Sequence, residues 1–319
     1  MDIREQSTRD NETNRFFVSV LVVNYNPDWK KLKFTLSSII AQRGIDIEIV
    51  IADDGSENSR KKEIMDFFRN KKFVNYKLVF NEKNNGTVHN VISGLKACNA
   101  KWVKGLGPGD ALLGRECLKK WVEYCETKGL EWSFSDAVYY QKKENNIKVV
   151  SCKAHPIDII PYLKGDFSTC RWNYVVHGDI ALGAAIICKT KVFLDYCFQI
   201  ANKVLYAEDN VWRLMMFDGI QAGYFPNNTI LYEYGEGIST SGDSFWMQKI
   251  RRDWDATTEM IIHGDTIESL QKKMVKAYKL LSNKATKLLV KGRIKLYLKN
   301  RFFFRRTISY LPEENNADQ

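Results

Sequence analysis

Three apolar runs in the first third of the chain, each ending in a loop of amide, acidic or glycine residues, leave few folds open. They are FFVSVLVVNYN (16–26), IEIVIADDGS (47–56) and NNGTVHNVISGLKACNAKWVKGLGPGD (84–110). Val18–Val23 and Ile47–Ile51 are continuous rather than alternating in polarity, which predicts strands buried on both faces. Between them Leu32, Leu36, Ile39 and Ile40 recur at helical spacing. A second unit follows through Ile64–Phe68 and Tyr76–Phe80, then a helix marked by Val88, Val91, Ile92 and Leu95, a strand at Trp102–Leu106 and a helix carrying Leu118, Trp121, Val122 and Cys125. Such alternation predicts an α/β fold with a parallel sheet and right-handed crossovers. Ligands of open α/β sheets bind outside the carboxyl ends of the strands, where these polar loops fall, and this points to a nucleotide-linked substrate.

Beyond Glu131 the pattern weakens. Strands are expected at 132–140, 147–152, 183–188 and 229–234, with a helix around 208–218. From about Ser244 the chain reads as helices, so three parts are expected: a polar tail at 1–15, a sheet domain at 16–242 and a helical, basic region at 243–319. The first fifteen residues lack the apolar core of a signal peptide, and no run approaches the roughly 18 apolar residues that span a bilayer. Seven cysteines show no C-x-x-C pairing, as reduced core thiols in a cytoplasmic protein would.

The net charge of +10 is unevenly placed. Thirteen Lys or Arg and no Asp or Glu lie between Leu270 and Arg306, which leaves the rest of the chain slightly acidic. Leu270, Met274, Tyr278, Leu281, Ala285 and Leu288 make one face of a helix, with lysines elsewhere, and RIKLYLKNRFFFRR (293–306) interleaves cations with aromatics. A basic amphipathic segment suits an anionic membrane surface, here the inner face of the cell membrane. The same charges carry no nucleic-acid recognition motif, so no nucleic-acid partner is expected. A helix packed on the domain with a solvated lysine face is the plainer alternative.

In this order and at these separations, the three fragments, together with AEDNVWRLMMFDG (207–219) and EYGEGISTSG (233–242), resemble the family 2 glycosyltransferases of the GT-A fold. The resemblance runs from about residue 17 to 255. It implies a Rossmann-like, mostly parallel sheet with helices on both faces, followed by a C-terminal helical extension. It also implies inverting transfer of a sugar from a nucleotide diphosphate sugar, UDP-linked by first choice, to a saccharide acceptor. A lipid-linked acceptor in bacterial capsule or exopolysaccharide synthesis would account for the basic tail.

The residues carry this chemistry in readable ways. Asp53 and Asp54 stand at a strand end, able to accept hydrogen bonds from a base edge and ribose hydroxyls, with Ser56 placed to cap the next helix. Asn24 and Tyr25 fall in the facing loop, and Asn85 opens the following helix. Glu208 and Asp209 are adjacent, so they point in different directions from a helix start. By the resemblance, Asp209 is the base that takes the acceptor proton, with Glu208 orienting or binding. His177, Ser239, Thr240 and Arg251 fall on the acceptor or diphosphate side, although a structural role suits His177 better.

The chain departs from the family at LGPGD, where Gly107 and Gly109 stand in place of acids and only Asp110 remains. Two readings follow. Asp110, the diphosphate and water hold Mg2+ or Mn2+ weakly, or cations such as Lys249, Arg251 and Arg252 replace the metal. The same glycines raise a competitor, a degenerate relative that binds nucleotide or glycan without turnover. An NAD-dependent oxidoreductase is disfavoured, because NYNPD after the first strand is no G-x-G-x-x-G turn.

Overall fold

The computed structural model describes residues 17–143, 146–150, 155–237 and 242–263, with 292, 294–296 and 298 of the C-terminal region. The continuous apolar runs become β1 (Phe17–Asn24), β2 (Asp46–Asp53), β3 (Tyr76–Phe80) and β4 (Trp102–Leu106). Helices α1 (Trp29–Ile40), α2 (Lys61–Asn70) and α3 (Thr87–Ala97) lie between them. These four strands pair in parallel in the order β3-β2-β1-β4, so the polar loops after β1, β2 and β4 open on one edge of the sheet.

The second half is mixed rather than parallel. β5 (Ala111–Leu112), α4 (Cys117–Thr127), β6 (Trp132–Lys143) and β7 (Asn146–Val149) lead to short helices α5 (Ile160–Lys164) and α6 (Phe167–Val175). A 3-10 turn at Gly183–Ala185 then opens β8 (Ile186–Lys189), followed by α7 (Thr190–Ile200), α8 (Asn210–Phe217), β9 (Ala222–Glu233) and α9 (Ser244–Ile262). Among the described residues nine strands make one sheet, continuing β4-β8-β6-β9-β5 with β7 on β6. β8 runs antiparallel to both β4 and β6, and β9 is parallel to β6.

The sheet is covered on both faces, as the unbroken apolar strands require. Val18, Val20 and Val22 pack with Leu32, Leu36 and Ile39 of α1, Phe68 of α2 and Trp121 of α4. Leu21 and Val50 turn to the other face, against Val88 and Leu95 of α3, Cys197 of α7 and Met215 of α8. Free thiols of Cys117, Cys125, Cys170, Cys188 and Cys197 are buried in these layers. Helix α9 begins just beyond the expected boundary at 242 and packs back on α8, with Asp253, Thr257 and Ile261 buried along one face. No helix of the described residues is long and apolar enough to cross a membrane. The polar tail at 1–15 and nearly all of the basic stretch from 270 to 306 lie outside the described residues.

Candidate active site

A cavity of about 280 Å3 opens at the carboxyl ends of β1 and β4, lined among others by Thr87, Gly107, Asp110, Gly183, Glu208 and Asp209. The first three residues come from the parallel half and the last three from the irregular half, so the site forms where the halves meet.

Asn24, Tyr25, Asp53, Asp54, Ser56 and Asn85 are not among the cavity's lining residues, and at the ends of β1 and β2 the acids already have partners. Asp53 accepts from the Ser56 amide (2.9 Å) and the Ser56 hydroxyl (2.7 Å), which closes its own turn. Asp54 accepts from the amides of Asn85 and Gly86, both at 2.9 Å, and so ties the β2 loop to the start of α3. Asn90, one turn into α3, donates to the carbonyls of Asn24 and Ala52 and thereby joins the ends of β1 and β2. The pattern of apolar faces hides Asn90, since it sits among Val88, Val91 and Ile92. Asn24 is different: it is 2 % exposed and, among the described residues, neither atom of its amide has a partner. Buried polar atoms are nearly always satisfied, so an amide at a strand end with neither atom paired is unusual. Tyr25 is exposed beside it, and Ser56 accepts from the Asn26 amide at 2.6 Å.

The LGPGD loop is pinned from three elements. Gly109 N–H donates to Thr35 of α1 (3.0 Å), the Tyr140 hydroxyl donates to the Gly109 carbonyl (2.5 Å), and the Glu233 amide donates to Asp110 Oδ1 (3.1 Å). A side chain at 109 would collide with the Glu233 carboxylate, and the backbone there has φ +105°. Glu233 from β9 thus occupies the space that an acid at 109 would fill, and Lys31 holds it at 2.8 Å. Burial pushes the Asp110 carboxyl up to about 7, against the opposing pull of the Glu233 amide and of Lys104. Lys104, 0 % exposed on β4, is in turn pushed down to about 7 by burial.

These residues do not make a divalent-cation site by themselves. Among the described residues no group of three His, Cys, Asp or Glu side chains is placed to hold a metal. At the loop a metal would meet Asp110 alone, with Glu233 already neutralised.

Opposite the loop, Asp209 stands at the N-cap of α8 and accepts from the Trp212 indole N–H at 3.1 Å rather than from a helix amide. Its carboxylate lies against Gly183, where a Cβ would overlap it. Burial and the neighbouring Asp209 charge push Glu208 up to about 8. Burial raises Asp209 too, while the indole N–H and the Lys104 charge hold it back. Burial thus raises both adjacent acids, and of the two it is Asp209 that has groups pulling it back toward the ionised form.

Two residues the sequence reading passed over hold this pair in place. Asp253 of α9 accepts from the amides of Leu205 (3.2 Å), Tyr206 (2.7 Å) and Ala207 (3.1 Å), fixing the strand of chain that delivers Glu208. Arg213 of α8, fully buried, donates to the Val175 carbonyl (3.1 Å) and Thr258 (2.7 Å) and lies over the Trp254 ring. A signal existed: Asp253, Thr257 and Ile261 repeat at helical spacing within a segment that reads as charged surface.

The remaining expected site residues are scattered. His177 packs edge-on to Trp172 and close to Gly292, and is not among the cavity's lining residues. Lys249 sits among the rings of Tyr206, Phe245 and Trp246, and Arg252 faces Asp253 at 3.6 Å. Arg251 is exposed on α9, while Ser239 and Thr240 lie outside the described residues.

Comparison with known proteins bears on the family and the fold. A family model described as Glycosyl transferase family 2 matches residues 19–189, more than half of the chain. No curated protein matches the chain. Residues 1–349 of S. aureus TarS in complex with UDP superpose with a TM-score of 0.54 at 15% identity, covering 85% of this chain and 74% of that one. The same protein with UDP-GlcNAc gives 0.55 at 17%, covering 81% and 70%. The mannosyltransferase PcManGT from Pyrobaculum calidifontis, in complex with GDP-Man and Mn2+, gives 0.59 at 14%, covering 91% and 76%. At such identities the likeness is one of fold, the GT-A arrangement; combined with the family match, it makes this chain a glycosyltransferase that belongs to glycosyl transferase family 2.

Proposed function

We propose that the protein transfers a sugar, with inversion, from a nucleotide diphosphate sugar to a saccharide acceptor. The observation that carries this reading is that Glu208 and Asp209 line the same cavity as the LGPGD loop, across from it. The acceptor hydroxyl gives its proton to Asp209 as its oxygen attacks the anomeric carbon from the face opposite the diphosphate. The bond from that carbon to the diphosphate oxygen breaks, and the leaving nucleoside diphosphate takes the electron pair. Glu208, protonated at neutral pH, donates a hydrogen bond instead of competing for the proton.

A uracil is our first choice for the base. The orphaned Asn24 amide offers one donor and one acceptor side by side, which fits a uracil edge, and two of the structural neighbours hold UDP or UDP-GlcNAc. PcManGT holds GDP-Man and Mn2+, so guanine donors and a metal belong in the same test. The exposed Phe245 packs on Trp246, whose ring also meets Tyr206 two residues before Glu208, and it offers a stacking surface for an acceptor sugar. A lipid-linked acceptor in bacterial surface-glycan synthesis, reached from the inner membrane face through the basic tail, completes the proposal.

Thermal shift across UDP, GDP and their sugars identifies the donor, because a ligand at about 100 times its dissociation constant stabilises by about 2.7 kcal/mol. Hydrolysis or transfer of the stabilising sugar nucleotide is then followed. Stabilisation without turnover in any acceptor extract would favour the degenerate reading.

A further inference from the structure

The LGPGD loop lacks the acids that would hold a metal, yet a cation is built in beneath it. Lys104 lies on β4 between the buried Val103 and Gly105, and its Nζ donates to the carbonyls of Gly105 and Ala184. Its partners among the described residues are these two carbonyls, with no carboxylate in ion-pair contact. An ammonium buried without an anion is costly, and an apolar side chain would fill the same strand position without that cost.

The surroundings show what the charge faces. Gly105 and Ala184 both line the cavity, so the ammonium lies one peptide group below its floor. That floor is bare: a Cβ at Gly105 would meet nothing within 4 Å, and one at Gly107 only the Asp110 carboxylate at 3.8 Å. An anionic ligand can therefore settle directly on the peptides that Lys104 holds. Among the described residues Lys31 is matched by Glu233 and Glu236 and Arg252 by Asp253, while Lys249 is held among the rings of Tyr206, Phe245 and Trp246 and is not among the cavity's lining residues. The acids that face Lys104 are Asp110 and Asp209, with the Cys117 thiol beside it, and none touches the ammonium.

Resting on the donor reading above, we infer that Lys104 supplies the positive charge for the donor's diphosphate, so that the nucleotide binds without a divalent cation. Lys104 acts through the peptide floor and is a positioning residue. Charges in a water-poor site act over several ångströms with little screening, so contact is not required. Burial holds the empty-site ammonium near neutrality, at about 7, and an arriving diphosphate draws a proton onto it.

Calorimetry of the full chain with UDP and GDP, each in EDTA and in Mg2+ or Mn2+, tests this without any variant. The nucleoside diphosphate that binds should do so in EDTA within about threefold of its affinity with metal, a difference well under the 1.4 kcal/mol of a tenfold change. Lys104→Met and Lys104→Gln should weaken that diphosphate about tenfold or more while leaving the parent nucleoside, uridine or guanosine, within about twofold. A merely structural role would weaken nucleoside and diphosphate alike. A requirement for metal in the wild type, or equal loss for the nucleoside, overturns the inference and leaves the donor reading intact. Failure of both diphosphates to bind under any condition overturns the donor reading, and the inference with it.

Discussion

At the ends of β1 and β2, three buried acids each have donors in contact. Glu48 takes Lys77 (2.7 Å), Ser19 (2.7 Å) and the Asn99 amide (2.8 Å), and although burial works against it these partners lower its pKa. Asp53 and Asp54 are likewise held by amides and a hydroxyl. Around the cavity Asp110, Glu208 and Asp209 receive few donors; burial pushes Asp110 up to about 7 and Glu208 up to about 8, and raises Asp209 as well. The difference teaches that burial alone does not decide protonation. Acids supplied with donors hold loops in place, whereas acids starved of them keep an affinity for protons near neutral pH, which is what proton transfer needs.

The contrast can be broken at several points. Asp209→Asn keeps the shape and removes the base, so transfer should fall by about 100-fold or more with nucleotide affinity nearly intact. Glu208→Gln should lose much less; if it lost as much while Asp209→Asn stayed active, the roles within the pair would be reversed. On the donor-rich side the loss should appear in folding instead. Asp54→Ala strands the amides of Asn85 and Gly86, and urea denaturation should show about 2 to 3 kcal/mol of lost stability. Unchanged stability with lost nucleotide binding would make Asp54 a ligand contact first.

Gly183→Ala is a smaller and more local test, since its Cβ would displace the Asp209 carboxylate without changing any charge. Turnover should drop about tenfold with the donor KM unchanged, because a small misplacement of a catalytic group costs rate rather than binding. The pH dependence of stability gives the smallest effect. Glu208 holds its proton up to about 8 when folded and only to 4.5 when unfolded, so between those values the folded state binds more protons and stability falls as pH rises. Asp110 adds to the same slope below about 7, whereas Lys104 opposes it above about 7. Melting curves of wild type and Glu208→Gln isolate the first contribution: the variant should gain a few degrees toward pH 8. Parallel curves would show that Glu208 is ionised in the folded protein.

Much of the fold was legible because buried parallel strands must be apolar on both faces. Tyr76–Phe80 and Trp102–Leu106 have the bounds expected of them, and the helix faces of α1, α3 and α4 fall where periodicity puts them. The later strand was harder. β9 runs from Ala222 rather than 229, because Pro226, Asn227 and Asn228 look like a break in sequence but form a bulge, where the register with β6 shifts between Ser135 and Asp136. Helices α5, α6 and α7 went unread; α6 mixes polar and apolar residues around its circumference, being buried against α8 and Trp132 rather than lying on a surface.

The sequence by itself determined the α/β class, the loops at the strand ends and the acidic pair at 208 and 209, since each depends on local pattern or on residues adjacent in the chain. Tertiary structure alone decided what those acids are. Whether a carboxylate holds or gives up its proton depends on donors brought from elsewhere, as Trp212 is to Asp209 and Lys77 and Asn99 are to Glu48. The charge of Lys104 is likewise visible in a strand of five residues, but its place beneath the cavity floor follows from the approach of Ala184, eighty residues away in the chain.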